Sequence, residues 1–245
     1  MRPETVAALL ALNRQFYDQF GGEFAATRRS HPPGYDRILP YLRTATNVLD
    51  LGCGSGRLLA YLAQRDWSGR YVGLDSSAPL LAEAAALPLS HAEIQPRFIR
   101  ADLFEESWPV AVGADGPFDA VVSLATLHHI PGAANRAAFL RRCASLLPPG
   151  RLLILTTWQF LASERLRRRL ASWERAGIKE SELEPGDYLV GWGEGLAGAR
   201  YCEMIDEAAL IDMAAGAGLD VVETFTSDGH EGRLNLYAVF TPATS

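Results

Sequence analysis

Apolar residues along this chain keep two rhythms that alternate. Val6, Leu9, Leu10, Tyr17 and Phe20 recur at helical spacing, which predicts an amphipathic helix near residues 4–20 that Gly21-Gly22 ends. A second apolar cluster, Tyr35, Ile38, Leu39, Tyr41 and Leu42, leads up to the first strand. Short apolar runs then predict strands at 47–51, 71–75, 97–100, 118–124 and 151–157. Helical patterns lie between and after them at 57–65, 78–86 and 133–147. Alternation of this kind implies right-handed βαβ units and a parallel sheet with helices on both faces. Near the end the rhythm changes. A helix near 206–217 stops at Gly216 and Gly218, and Leu219–Phe225 and Leu234–Phe240 read as two strands. The Thr-Ser-Asp-Gly-His-Glu-Gly-Arg loop between them is too short for a helical crossover, so the last strand is expected to run antiparallel.

The pattern is interrupted between residues 158 and 205. Arg165-Leu-Arg-Arg-Arg-Leu170 is expected in a helix, followed by the glycine-rich stretch Gly186–Gly198. Such an insertion hangs beyond the carboxyl end of the fifth strand, where ligands of open α/β sheets bind. Long connections in compact domains are functional or disordered, and this one is expected to be a substrate lid. The organisation read from the chain is one α/β domain over residues 1–245, with a helical cap at 1–44 and a lid at 158–205.

Composition narrows this picture modestly. With 245 residues and 48% hydrophobic content, a single globular core is expected. A formal net charge of −6 argues against a surface coated in positive potential, although a local basic patch is compatible with it. Cys53, Cys143 and Cys202 are far apart and form no C-x-x-C pair. That spacing suits neither a disulfide framework nor a zinc site, so a cytoplasmic protein without a metal is expected. Val6–Leu12 lies between Glu4 and Asn-Arg-Gln with no convincing cleavage site, and reads as helix rather than signal. No apolar run approaches the roughly 18 residues of a membrane span.

Candidate chemistry concentrates in Asn47-Val-Leu-Asp-Leu-Gly-Cys-Gly-Ser-Gly-Arg57, a strand that ends in alternate glycines and enters a helix. A second strand ends in the carboxylate of Asp75, as a ribose-binding site requires. A P-loop needs a lysine after its last glycine, and Arg57-Leu58 stands there instead. A dinucleotide site needs a third glycine at position 57, where helix and strand must pack closely; here the glycine falls one place early, at Gly56. Asp50 lies two places before the first glycine. A negative charge facing the ligand is unwelcome beside a pyrophosphate and welcome beside a cation. Charge therefore points to S-adenosylmethionine, which carries an amino group and a sulfonium and has no phosphate.

Val48–Gly56 resembles the first motif of class I S-adenosylmethionine-dependent methyltransferases. Further landmarks follow in order: Asp75, Arg100-Ala-Asp-Leu103, Phe118–Ile130, and Leu147-Pro-Pro-Gly-Arg-Leu-Leu-Ile154. The resemblance covers roughly residues 45–157. It implies a Rossmann-like sheet of seven strands, mostly parallel, with an antiparallel C-terminal hairpin. It implies that Gly52, Gly54 and Gly56, with Asp50, surround the methionine part of the cofactor. Asp75 and Ser76 would meet the ribose, and Ala101, Asp102 and Leu103 the adenine. Ser123, at the exit of the fourth strand, would also meet the cofactor.

The methyl acceptor is less defined. His128, near the expected position of the methyl, is a candidate base or hydrogen-bond donor. Phe16-Tyr-Asp18, Phe24-Ala-Ala-Thr-Arg28, Gly186–Trp192, Arg200-Tyr201 and Asn235-Leu-Tyr237 resemble segments of the methyltransferases that esterify carboxymethyluridine at the tRNA wobble position. That resemblance implies that Tyr17 and Arg28 reach the cofactor and that Trp192, Arg200 and Tyr201 face the substrate. Arg167 and Arg168 lie in a basic run able to meet RNA phosphates. Three readings stay open: a tRNA acceptor, a small-molecule acceptor, and an inactive cofactor-binding protein or subunit that works with a partner.

Overall fold

A computed structural model describes residues 1–27, 30–89, 93–193 and 198–244. The long N-terminal helix α1 (Pro3–Ala26) and the shorter α2 (Gly34–Leu42) precede the sheet. Then come β1 (Asn47–Leu51), α3 (Arg57–Ala63), β2 (Gly69–Asp75), α4 (Ala78–Ala85) and β3 (Ile94–Arg100). After α5 (Trp108–Val112) follow β4 (Ala120–Leu124), α6 (Ala133–Ser145) and β5 (Leu152–Trp158). The main sheet has seven strands, and β1 lies inside it, paired in parallel with β2 and β4. A strand covered on both faces needs apolar side chains on both. Leu49 and Leu51 pack with Val72, Leu74 and Val121 on one face, and Val48 packs with Tyr71, Val122 and Ile154 on the other.

The expected terminal hairpin is present. Helix α8 (Glu207–Ala215) leads to β9 (Leu219–Ser227), and β10 (Asn235–Pro242) inserts antiparallel between β5 and β9. The hairpin tip ties the two ends of the chain together. Asp228, in the left-handed region at φ 68°, accepts hydrogen bonds from the Gly34 amide at 2.8 Å, the Asn235 amide group at 2.7 Å and the Tyr237 hydroxyl at 2.7 Å. Gly34 has to be glycine here, because a Cβ would lie 2.2 Å from the Tyr237 ring.

The insertion differs from the expected helix and loop. One helical turn, α7 (Glu164–Arg167), ends before Leu170, and the chain forms a separate antiparallel sheet of β6 (Leu170–Ala171), β7 (Asp187–Trp192) and β8 (Gly198–Glu203). Its apolar side closes on α1, where Leu9 meets Trp173, Ile178, Leu189 and Tyr201. Asn13 of α1 adds a polar lock. Its Oδ1 accepts from the Tyr201 amide at 2.7 Å, and its Nδ2 donates to the Tyr201 carbonyl at 3.3 Å. Gly198 permits this approach, since a Cβ there would come within 2.9 Å of Phe20. The cap and the insertion are therefore one packed unit. Among the described residues no helix is long and apolar enough to cross a membrane.

Replacing Asp228 with Ala orphans three donors, two of them buried, and is expected to lower stability by about 1–3 kcal/mol in urea unfolding. Asp228→Asn, which keeps an acceptor and tolerates the left-handed backbone, is expected to lose less.

Candidate cofactor and acceptor site

The turn after β1 and the tip of β2 are hydrogen-bonded into one unit. The Gly52 and Cys53 amides donate to the Leu74 carbonyl at 2.8 and 3.1 Å, and the Gly54 amide donates to Asp75 Oδ2 at 2.9 Å. Asp75 Oδ1 takes the Ser77 amide at 2.8 Å, at the start of α4. Burial raises the Asp75 pKa above the usual carboxylate range, opposed by the amides of Ser77, Gly54 and Ser76. A carboxylate can accept about four hydrogen bonds, so it retains capacity for a ribose diol.

Three glycines of the turn serve different ends. Gly52 has φ 80°, and a Cβ there would lie 2.2 Å from Thr126 Oγ1, so its bareness lets the exit of β4 approach. Gly54 has φ 53°, and a Cβ there would meet nothing within 4 Å; it opens on the cleft. Gly56 precedes α3 at φ 77°, and its missing side chain makes room for Leu87, 2.7 Å from where a Cβ would sit.

A cleft of about 940 Å³ runs from Asp75 past this turn to β5. Ser76, Ala101, Asp102 and Leu103 border one end, and Tyr17, His128, Trp158 and Arg200 border the other. Asp50 borders it too, but is 3% exposed and accepts from the Tyr71 hydroxyl. Burial pushes its carboxyl up to about 7, against the Tyr71 bond, with Asp75 adding a smaller upward push. The simple picture of an ionised Asp50 awaiting a cation is thus modified. Without a cation beside it, this group holds its proton up to near neutrality. Asp102 is also engaged: Oδ2 pairs with Arg14 at 2.5 Å, and Oδ1 accepts from the Phe104 amide at 3.0 Å. Arg14 had no distinguishing signal in the sequence. It links α1 to the Asp102 end of the cleft.

At the other end two adjacent histidines are held in opposite ways. His128, 2% exposed, accepts from the Trp158 amide at Nδ1 over 3.3 Å, which leaves the proton of the neutral ring on Nε2. His129 Nδ1 lies 2.9 Å from the Tyr201 carbonyl, which only accepts, so its proton is on Nδ1. Its Nε2 then accepts from the Tyr17 hydroxyl at 3.0 Å. His128 is accordingly arranged as a donor rather than a base. Three residues before His128, Ala125 sits at the strained φ of 58° and gives its amide to Thr156 Oγ1 at 2.7 Å.

Arg200 is 3% exposed on β8, with its guanidinium 4.8 Å from the Phe16 ring and 5.0 Å from the Trp158 ring. The other sequence-picked residues lie elsewhere. Ser123 is fully buried in the sheet, donating to the Leu51 carbonyl at 3.0 Å, and does not border the cleft. Tyr201 is fully buried, donating to Asp187 at 2.8 Å; its amphipathic side chain locks the insertion and does not face a ligand. Trp192 packs on Phe16 and Phe20 with centroids 6.1 and 5.3 Å away. Arg167 and Arg168 are exposed at the end of α7 and just past it, where Arg167 donates to the Leu161 carbonyl at 2.5 Å and Arg168 pairs with Glu164. Arg28 lies outside the described residues. No cluster of three or more metal-ligating side chains occurs among the described residues.

Comparison with known proteins shows the family. A family model described as a methyltransferase domain matches residues 24–224. A protein of Encephalitozoon cuniculi named as a methyltransferase is 27% identical over 215 residues, 87% of this chain and 90% of its own length. The trans-aconitate 2-methyltransferase of Deinococcus radiodurans is 34% identical over 179 residues, 71% of this chain and 61% of the relative. Among solved structures, the 1,6-didemethyltoxoflavin-N1-methyltransferase of Burkholderia thailandensis, with that compound and S-adenosylhomocysteine bound, has a TM-score of 0.66 at 19% identity. It covers 100% of this chain and 92% of its own, a likeness of fold.

Asp75→Ala is expected to weaken S-adenosylmethionine binding by about 1.5–3 kcal/mol, roughly 10- to 150-fold, in calorimetric titration. The raised carboxyl of Asp50 has a defined pH signature. Its folded pKa, about 7, exceeds the 3.8 of an ordinary aspartate in the unfolded chain, so the stability it contributes is full below about 4 and is lost as pH rises through about 7. Thermal unfolding of the ligand-free protein is expected to show that decline, and Asp50→Asn to flatten it.

Proposed function

The chain belongs to the class I S-adenosylmethionine-dependent methyltransferases, and from that premise we propose that it methylates a small molecule bearing an anionic group held by Arg200. The cofactor supplies the methyl group on a sulfonium. Methyl transfer is an in-line displacement, so the protein mainly positions the acceptor and excludes water. The turn Gly52–Gly54 and Asp75 are suited to hold the cofactor at one end of the cleft. Ala101, Asp102 and Leu103 suit its adenine, with Asp102 also anchoring Arg14.

The observation that carries the reading is the buried guanidinium in the cleft wall. The rings of Phe16 and Trp158 orient Arg200, and a guanidinium in the wall of a low-dielectric cleft favours an anion. The planar fork of arginine matches a carboxylate better than a point charge does. His128 Nε2–H is a further donor at the same end. One relative is named for trans-aconitate, and a fold neighbour holds a small heterocycle.

A tRNA acceptor is the second reading, resting on the flanking segments and the basic run at Arg165–Arg169. Arg167 and Arg168 are exposed there, engaged by Leu161 and Glu164, and do not border the cleft. Incubation with methyl-labelled S-adenosylmethionine and cell extract separates the readings. Label is expected in acidic small molecules; label confined to RNA contradicts the proposal, and cofactor binding without any labelling favours an inactive or partner-dependent protein. Arg200→Met is expected to raise KM for the acceptor roughly 10- to 150-fold and leave the dissociation constant for S-adenosylmethionine unchanged. A loss of cofactor affinity instead assigns Arg200 to the cofactor's own carboxylate.

A further inference from the structure

The geometry points to Tyr17 and His129 as a proton relay, and so to an acceptor atom that enters the reaction protonated: a hydroxyl or an amine rather than a carboxylate oxygen. The inference rests on the reading of this cleft end as the methyl-acceptor site.

Four observations combine. Tyr17 and His129 both border the cleft, beside Trp158 and Arg200. The Tyr201 carbonyl fixes the His129 proton on Nδ1, which makes Nε2 the basic nitrogen. The Tyr17 hydroxyl donates to that nitrogen at 3.0 Å. Its oxygen, a donor and acceptor at once, can take a hydrogen bond from a substrate on its cleft side. His128, one residue away, has the opposite tautomer and cannot perform this task without losing its bond to the Trp158 amide.

The step balances. As the acceptor heteroatom forms its bond to the methyl carbon, the carbon–sulfur bond breaks and its electron pair stays on sulfur. The acceptor's proton passes to Tyr17 Oη, and the Tyr17 proton passes to His129 Nε2. The imidazolium so formed donates from both nitrogens, to Tyr17 and to the Tyr201 carbonyl, and Tyr17 ends neutral. A carboxylate acceptor has no proton to give, and for it the relay would be idle.

The groups facing His129 come from three elements. Tyr17 comes from α1 and the Cys202 thiol from β8, 3.7 Å from Nδ1. His128 stands on the same turn with ring centroids 4.4 Å apart, and Arg200 of β8 borders the same cleft. The relay is active once His129 is unprotonated, so its rate rises with pH.

Two measurements test the relay. The first needs no acceptor: long-range nitrogen–proton NMR of the protein bound to S-adenosylhomocysteine, above the histidine titration range. It is expected to show His129 as the Nδ1–H tautomer and His128 as the Nε2–H tautomer; His129 in the Nε2–H form overturns the relay. The second uses the acidic small-molecule pool of a cell extract and labelled S-adenosylmethionine. The transferred methyl is expected to resist alkali, as an ether or N-methyl group does. Tyr17→Phe and His129→Asn are expected to lower the maximal rate about 100-fold or more with KM unchanged. His129→Asn, which keeps a donor toward Tyr201, is also expected to remove the rise in rate with pH. Label released by alkali as methanol, or a full rate and unchanged pH profile in His129→Asn, overturns the inference. No label in small molecules sinks the earlier reading of the acceptor, while the tautomers still decide the relay.

Discussion

The contact between the glycine turn and the tip of β2 is the constraint on which the rest depends. The amides of Gly52, Cys53 and Gly54 all end on Leu74 or Asp75, so the acidic tip of one strand and the turn of its neighbour hold a single geometry. Lack of a side chain at Gly52 then lets Thr126 approach, and the Thr126 hydroxyl donates to the Leu51 carbonyl at 3.3 Å. That draws in the exit of β4, and with it His128 and His129. The cofactor end and the chemistry end of the cleft are thereby linked through a few backbone groups. A larger residue at Gly52 would disturb both.

The acceptor end has a different construction. The main sheet contributes His128 and Trp158, while the cap helix and the insertion contribute Tyr17 and Arg200. These last two are held in place by contacts between α1 and β8, namely Asn13 against the Tyr201 backbone and the close approach at Gly198. Tyr201 also orients His129 through its carbonyl. One buried residue therefore fixes the packing of the insertion and the tautomer of a cleft histidine. A family that keeps the sheet and varies the insertion can change acceptors without altering its cofactor seat.

Much of the cofactor half was legible in the sequence. The alternation of runs such as Val48–Leu51 and Tyr71–Leu74 with helical spacing gave the parallel sheet, because strands buried on both faces must be apolar throughout. The short loop after Ser227 gave the antiparallel hairpin. The insertion was not legible, since glycines at 186, 191, 193 and 198 make β7 and β8 look like a loop. The strand period survives there only in which residues face α1. Helix α2 was visible only as an apolar cluster, and α5 is too short for a period to show. Asp50 borders the cleft, as its spacing before the glycines suggested, but its burial and its bond to Tyr71 are tertiary facts that change its charge state. The Tyr17–His129 pair spans 112 residues, and the carbonyl that sets its tautomer comes from a strand the sequence concealed.

The central claim is that one cleft holds the donor at Asp75 and the acceptor between Arg200 and the histidine turn. A crystal structure with S-adenosylhomocysteine and the acceptor tests it most directly. The account predicts ribose hydroxyls on Asp75, the homocysteine sulfur toward His128 and His129, and an anionic group of the acceptor on Arg200. Ribose bound away from Asp75, or Arg200 occupied by the homocysteine carboxylate with the acceptor elsewhere, would contradict it.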